Sequence, residues 1–231
     1  MLKVRLKFSK SGALVYIGHL DVMRYFQKLF RRATIPVAYS EGFSPHQLLS
    51  FTPPLPLGME SEGEYADVVL TEKISSDEAL VRLRENTVKE IGIISFKELP
   101  EKCENAMASV KAAGYRISIG DKDRYDIRRM IDSLLNKDEI MVTKKTKKNE
   151  KIIDIRPLIY ELKTGIDENT INMLISSGST DNIKPELVLE ALDPAFADLI
   201  EKSSIKITRT DQYTSNETGL ISLDDIGRDI I

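Results

Sequence analysis

Apolar side chains recur along this chain with either the two-residue period of a β-strand or the 3.6-residue period of an α-helix. Segments of the two kinds alternate, and they recur in the same order in the second half of the chain. Residues 3–9 alternate charged and apolar side chains, which is typical of a β-strand with one solvent-exposed face. A helical period then starts at residues 18–21 and ends before Pro36. Later segments are predicted as an extended piece at 37–39, a strand at 64–71, a helix at 75–86 and a strand within 88–99. The order strand, helix, strand, strand, helix, strand predicts a ferredoxin-like (split βαβ) unit over residues 1–100.

The second half repeats this pattern after a polar linker of small residues at 101–113. Strands are predicted at 115–119, 140–143, 152–155, 159–164, 170–176 and 205–208, with helices at 124–136 and 184–192. Residues 114–210 therefore form a second predicted ferredoxin-like unit with a Lys-rich hairpin, and residues 211–231 are predicted as a loosely held acidic tail. The predicted fold class is α+β, with two tandem ferredoxin-like units whose antiparallel sheets carry helices on one face.

The net charge of −3 is unevenly distributed along the 231 residues. Residues 1–58 contain eight Lys and Arg against Asp21 and Glu41, so this part carries +6 and the remainder −9. Because salt screens long-range attraction, a local basic patch matters more to a partner than the total charge. The distribution favours an anionic partner for the N-terminal part.

The small numbers of Cys and His exclude several kinds of site. Cys103 is the single cysteine, which excludes an internal disulfide, a four-ligand Cys zinc site and a three-cysteine iron–sulfur cradle. His19 and His46 are the two histidines, which excludes a three-histidine metal site, and we expect no bound metal. No segment approaches the roughly 18 apolar residues of a membrane helix, and the N-terminus lacks the apolar run of a signal peptide. We expect a cytoplasmic protein without membrane contact.

The first candidate site is the segment Gly18-His19-Leu20-Asp21 at the predicted helix start. Asp21 lies in the first turn, where the helix dipole favours a carboxylate, so the segment is interpreted as a cap beside an ordinary histidine. Alternatively, His19 and the first helical N–H groups bind a phosphate or carboxylate while Asp21 orients the imidazole. The spacing leaves both interpretations open.

The second candidate site joins the polar side of this helix to the loop that follows it. Four cations fall opposite the apolar arc of the helix: Arg24, Lys28, Arg31 and Arg32. The loop at 39–46 contains Tyr39, Phe43 and His46 among turn-forming residues. An aromatic side chain beside cations is typical of single-stranded nucleic-acid binding. The alternative is that Phe43 plugs the core under a long connection, so the two interpretations differ in whether Phe43 is exposed.

The third candidate site is the Lys-rich hairpin tip with the arginine that follows it. Its cations are Lys144, Lys145, Lys147, Lys148 and Arg156. They are interpreted either as a solubilising edge or as a salt-sensitive contact to phosphates.

A catalytic hypothesis rests on the two histidines. His19 and His46 would act as general acid and base on a phosphodiester if the helix and the loop fold back on one another. The sequence has neither a G-x-G-x-x-G segment nor a P-loop, so it lacks the usual signals of a nucleotide-binding enzyme.

The motifs resemble those of the radical-SAM-linked (radical-SAM-associated) protein family, whose domain of unknown function occurs alone or behind a cobalamin-binding radical SAM domain. The resemblance covers residues 2–200 and is most specific at Pro36-Val37-Ala38-Tyr39-Ser40-Glu41-Gly42-Phe43-Ser44-Pro45, with Leu55-Pro56-Leu57-Gly58 and Asp154-Ile155-Arg156-Pro157. Relatives often carry Arg or another basic residue at the position of His46. The resemblance implies an accessory to a radical SAM enzyme that shares an RNA substrate. The iron–sulfur cluster and S-adenosylmethionine would then belong to the partner, with no cofactor bound by this chain.

Three functional hypotheses follow. The first is a non-catalytic RNA-binding or substrate-presenting accessory to a radical SAM enzyme, in RNA modification or processing. The second is a metal-independent ribonuclease or RNA-modifying enzyme that uses His19 and His46. The third is a protein docking module for the radical SAM partner.

Overall fold

The computed structural model describes residues 1–120, 125–145, 150–167, 169–178, 181–201 and 204–231, without the side chain of Lys145. It is a mixed α+β fold whose strand pairings are mostly antiparallel, which confirms the predicted class. The strands are β1 (Leu2–Lys10), β2 (Leu49–Phe51), β3 (Glu60–Leu70), β4 (Ile91–Glu98), β5 (Ala112–Ile119), β6 (Met141–Lys145), β7 (Glu150–Asp154), β8 (Ile159–Thr164), β9 (Thr170–Ser176), β10 (Ile205–Asn216), β11 (Gly219–Ser222) and β12 (Arg228–Asp229). The helices are α1 (His19–Arg32), α2 (Ser76–Asn86), α3 (Ala106–Ser109), α4 (Ile127–Leu135), α5 (Pro185–Leu192) and α6 (Ala195–Glu201).

The chain divides into two compact units. The first contains Met1–Val110 and Asp211–Ile231, and the second contains Lys111–Thr210. The structure differs here from the predicted linker, because residues 101–113 include α3 and the start of β5. Lys3 Nζ also donates to the Cys103 carbonyl at 3.4 Å, which ties this segment to the first strand. None of the helices in the described ranges has the length and apolar character needed to traverse a bilayer.

The sheet of the first unit has the order β12-β4-β1-β3, and β2 pairs with β3. The pairs β1–β3, β1–β4 and β2–β3 are all antiparallel. One face of β1 carries Val4, Leu6 and Phe8, which form one core with the apolar sides of α1 and α2. The two-residue alternation of the sequence therefore selects the face that the helices cover. The division into two ferredoxin-like units stays a prediction.

Helix α1 forms as its hydrophobic period predicts. Its buried side chains, Val22, Phe26, Leu29 and Phe30, recur at spacings of three and four residues and pack in the core. Thr34 has φ of 53° and ends the helical path, and its amide donates to the Arg31 carbonyl. The helix therefore presents its charged side away from the sheet.

The other face of β1 is not the solvent-exposed face that its charges predict. Arg5 is 2% exposed, and Lys7 Nζ lies 3.1 Å from Asp211 Oδ2. Lys97 of β4 likewise lies 3.2 Å from Asp224 Oδ2. The C-terminal segment is thus an ordered part of the first unit and not a loose tail, because its carboxylates pair with the cations of this face.

In the second unit, β5, β9 and β8 pair in that order as antiparallel strands. β6 and β7 form a separate two-stranded hairpin, whose tip at residues 146–149 lies outside the described residues. Helix α4 buries Ile127, Ile131 and Leu134, as its period predicts.

Candidate functional site

The basic face of α1, formed by Arg24, Lys28, Arg31 and Arg32, is exposed along the helix. Its two ends differ in their contacts. Arg24 Nη1 pairs with Asp21 Oδ1 at 3.2 Å, a weak pair because both side chains are exposed. Arg32 Nη2 donates to the Asn86 carbonyl at 3.0 Å and therefore helps to join α1 to α2.

Lys28 and Arg31 have no carboxylate within ion-pair distance among the described residues. Arg31 also borders an open groove of about 520 Å³, whose lining includes Lys73 and Arg82 as well as Glu72 and Glu78. Since no described carboxylate neutralises Lys28 or Arg31, both are placed to neutralise an external anion.

The aromatic loop, residues 39–47, is open and not a plug of the core. Phe43 has a relative exposure of 110%, and Tyr39 is 49% exposed. Gly42 has φ of 105°, a conformation that favours glycine, so the turn that projects Phe43 depends on this residue. The exposed position of Phe43 is the one that the nucleic-acid interpretation requires.

Polar contacts close the aromatic loop and attach it to α1. The Ser40 amide donates to the His46 carbonyl at 2.8 Å, and the His46 amide donates to Ser40 Oγ at 3.0 Å. Gln47 is buried, and its Nε2 donates to the Gln27 carbonyl of α1 and to the Tyr39 hydroxyl, each at 3.3 Å. Gln27 lies three residues after Arg24 and four before Arg31, spacings that make it their neighbour on the helix surface, so the base of the loop lies beside the basic face of α1.

His19 lies in a different environment, at the first residue of α1. Its ring contacts Phe51 edge-on, with 5.7 Å between the ring centres. The structure places Asp21 against Arg24 and not against His19, so the predicted orienting contact is absent among the described side chains. Burial lowers the pKa of His19 from its ordinary value of 6.5, while the charge of Glu64 opposes this shift and that of Lys10 adds to it.

The His19 pocket brings together residues that the sequence analysis missed. Lys10, Thr52 and Glu64 line it with His19, among apolar side chains from β1, α1 and the segment after β2. Lys10 is 3% exposed and Glu64 is 6% exposed. A signal for Lys10 exists in the sequence, because the two-residue period of β1 places it on the same side as the apolar Phe8. Glu64 has the same signal, because the two-residue period of β3 places it on the side of the apolar Ala66 and Val68, and the β1–β3 register brings it opposite Phe8.

The two histidines are not brought into contact among the described residues. His19 lines the pocket above, whereas His46 Nδ1 lies 2.8 Å from Ser40 Oγ in the exposed loop. No group of three or more His, Cys, Asp or Glu in the described ranges is placed to hold a metal ion. The paired-histidine hypothesis therefore gains no geometric support.

Two cations of the third candidate site, Lys144 and Arg156, make contacts within the protein. Lys144 Nζ donates to the Asn182 carbonyl at 2.6 Å, and Arg156 Nη2 donates to the Leu135 carbonyl at the end of α4 at 3.4 Å. Asp154 Oδ1 accepts from the Arg156 amide, so the Asp154–Pro157 motif shapes a turn. Lys147, Lys148 and the side chain of Lys145 lie outside the described residues.

A family described as uncharacterized protein conserved in bacteria (DUF2344) matches residues 3–185. The chain belongs to this family. The matched range includes the basic face of α1, the aromatic loop and the His19 pocket. No protein with a curated description matches the sequence.

Two solved structures show distant similarity. One is a crystal structure of a Cbf5-Nop10-Gar1 complex, at 10% identity and a TM-score of 0.45, covering 96% of this chain and 53% of that chain. The other is an X-ray structure of a heavy metal efflux pump, at 9% identity and a TM-score of 0.25, covering 90% of this chain and 28% of that one. This chain thus spans about half the length of the first and less of the second. Both TM-scores are too low to support an argument about fold or function.

Proposed function

We propose that this protein binds single-stranded RNA through the basic face of α1 and the aromatic loop. One observation carries the proposal: the fully exposed Phe43 lies in a loop that Gln47 attaches to α1 at Gln27, one turn before Arg31, which has no carboxylate partner among the described residues. Stacking of a base on an aromatic ring and neutralisation of phosphates by nearby cations are the usual components of single-strand binding. A core plug or an internally neutralised helix would have removed this support.

The binding role is proposed to be that of a non-catalytic accessory, which presents RNA to a radical SAM enzyme. Support for the partner comes from the sequence resemblance to the radical-SAM-linked family. The partner would contribute the iron–sulfur cluster and S-adenosylmethionine, while this chain would contribute affinity for RNA.

For the fold, the proposal of ferredoxin-like units has support in the first unit. The strand order β4-β1-β3-β2, all antiparallel, is combined with two helices that share one core with the sheet. This arrangement supports the proposal, because a split βαβ unit also carries its helices on one face of an antiparallel sheet.

The test is the affinity for a short oligouridylate, measured by fluorescence anisotropy over a range of salt concentrations. With four to six phosphate contacts, the logarithm of the affinity falls with the logarithm of the salt concentration at a slope of about −3 to −4. The double variant Lys28→Ala with Arg31→Ala removes two of these contacts, so the slope becomes shallower by about 1.4 and the affinity falls roughly tenfold.

The matched control is Arg128→Ala with Arg129→Ala, which removes two neighbouring exposed arginines from α4 of the second unit. This control keeps the affinity and the salt slope of the wild type. Absence of binding at low salt, or equal losses in both double variants, contradicts the proposal.

A further inference from the structure

The His19 pocket has the size of one small polar group. Its free volume is about 20 Å³, enough for one water molecule or one hydroxyl group and too small for a nucleobase. The partly exposed His19 and the exposed Pro54 belong to its lining, so the pocket meets the surface at the N-terminal end of α1.

The polar lining of this pocket combines donors with acceptors. Lys10 offers N–H groups, Glu64 offers carboxylate oxygens, and a neutral imidazole offers one of each. Lys10 and Glu64 also have contacts within the protein. Three ammonium protons and about four carboxylate lone pairs nevertheless leave both side chains with capacity for a further hydrogen bond.

The charges and walls of the pocket favour a neutral group over an ion. The charges of Lys10 and Glu64 are opposite, and both are buried, so an additional unpaired ion would pay a desolvation cost without a net opposite charge to offset it. The walls are apolar and include Phe8, Phe51 and Leu55. A small group that both donates and accepts hydrogen bonds, carried on a moderately apolar ring, matches this lining.

We propose that the His19 pocket receives a ribose 2′-hydroxyl of the bound strand and thereby distinguishes RNA from DNA. This inference rests on the proposed RNA binding and specifies which chemical group of the strand is recognised. The 2′-hydroxyl both donates and accepts, and it is the group by which a protein tells RNA from DNA at a given site. Glu64 accepts a hydrogen bond from the hydroxyl, and Lys10 or His19 donates a hydrogen bond to its oxygen.

The pocket lies at the N-terminal end of α1, around the helix from the basic face. His19 is the first residue of the helix, and Arg24 lies five residues further, about 7.5 Å along the axis. Arg31 lies about 10.5 Å beyond Arg24. Five residues also turn the helix by about 140°, so a strand whose phosphates contact Arg24, Lys28 and Arg31 reaches the pocket where it turns around the N-terminal end of α1.

The first experiment changes the ligand and leaves the protein intact. Affinities of the wild type are compared for oligouridylate, the 2′-deoxy strand of the same sequence and its 2′-O-methyl form, at one salt concentration. We expect the 2′-deoxy strand to bind about tenfold more weakly than RNA, because the hydrogen bonds between the 2′-hydroxyl and the pocket are lost. The 2′-O-methyl strand binds at least as weakly as the 2′-deoxy strand, since the added methyl group exceeds the free volume of the pocket.

The second experiment uses Glu64→Gln and His19→Gln, which keep the approximate side-chain size. Each variant is expected to bind RNA and DNA with nearly equal affinity. Both affinities should equal the affinity of the wild type for DNA. The unchanged DNA affinity also reports that the variant is folded. Lys28→Ala with Arg31→Ala serves as the contrast, because it weakens both strands and preserves their ratio.

The outcomes separate this inference from the proposed function. Equal affinity of the wild type for RNA and DNA overturns the hydroxyl site and leaves the basic-face proposal standing. A preference for RNA that persists in both pocket variants also overturns it. Absence of binding to either strand contradicts the proposed function, and the hydroxyl site is rejected with it.

Discussion

The buried ion pair between Arg5 and Asp67 holds two central strands of the first unit together. Arg5 Nε and Nη2 donate to the two carboxylate oxygens at 2.7 and 3.0 Å, and both side chains are 2% exposed. Arg5 Nη1 is buried without a hydrogen-bond partner among the described residues, which costs about 1–3 kcal/mol. Such a pair makes each partner dependent on the other, because the loss of one leaves an uncompensated buried charge.

Replacement of Asp67 tests this dependence. Asp67→Asn keeps the side-chain size but removes the charge opposite Arg5, so we expect the free energy of unfolding to fall by about 3–5 kcal/mol. Asp21→Asn is the matched control, because Asp21 forms an exposed pair with Arg24, and it should cost about 1 kcal/mol or less. Urea unfolding of both variants measures the difference, and equal losses contradict the assignment.

His19 gives the first unit a pH-dependent contribution to stability. Its pKa is lowered by burial in the folded protein, so near pH 6.5 the unfolded chain binds more protons at this residue than the folded chain. The free energy of unfolding therefore falls as the pH decreases through 6.5 towards the folded-state pKa. Above that range the imidazole is neutral in both the folded and the unfolded protein, so it does not make the free energy of unfolding depend on pH.

The measurement is urea unfolding from about pH 8 to about pH 5, compared between the wild type and His19→Gln. Glu64 and Lys10 also carry charge beside the ring, and both are retained in the variant. The wild type should lose more stability than the variant over this range. Parallel pH profiles would show that His19 does not carry this dependence.

At the scale of elements, α1 and the aromatic loop each combine a buried side with an exposed one. The apolar side of α1 is buried in the core of the first unit. The aromatic loop contributes Gln47 to the interior and leaves Phe43 outside. Two phenylalanines of similar size thus have opposite environments, since Phe26 is fully buried and Phe43 fully exposed.

This contrast defines a paired substitution experiment. Phe43→Ala should leave the free energy of unfolding within about 0.5 kcal/mol of the wild type and weaken oligouridylate binding by about fivefold or more, without changing the salt slope. Phe26→Ala should instead cost about 3–5 kcal/mol, because it leaves a cavity in the core. A large stability loss in Phe43→Ala would support the plug interpretation of the loop.

At the scale of the whole molecule, the two ends of the chain meet in the first unit. Asp211 accepts from the Tyr65 hydroxyl, and burial together with the charge of Asp211 raises the pKa of Tyr65 above its ordinary value of 10. Leu223 and Ile230 are buried, and the Ile230 amide donates to Ser76 Oγ at 2.8 Å. The C-terminal segment therefore completes the core to which β1 contributes.

Truncation tests this role. Removal of residues 223–231 takes two buried apolar side chains from the first unit, so we expect a loss of about 3–6 kcal/mol and a melting temperature lower by roughly 10 °C or more. Deletion of Ile231 alone is the control, because this residue is 101% exposed. It should leave the melting temperature unchanged. A loose tail would instead tolerate both deletions equally.

The sequence by itself determined the features that depend on near neighbours. The buried side of α1 follows from residues three and four apart, and the core face of β1 follows from residues two apart. The loop at 39–46 was recognisable from its turn-forming residues, although its open position was one of two interpretations. These features are local, so periodicity and turn chemistry are sufficient to predict them.

Only the tertiary structure decided which charged side chains meet. Asp67 lies 62 residues from Arg5, and Asp211 lies 204 residues from Lys7. The strand register brings Glu64 opposite Phe8 and so completes the His19 pocket. The alternation of charged and apolar side chains in β1 indicates that the strand has two different faces. It does not indicate which segment covers the charged face. Burial of a charge depends on a partner set by long-range strand pairing, and a local pattern contains no information about that partner.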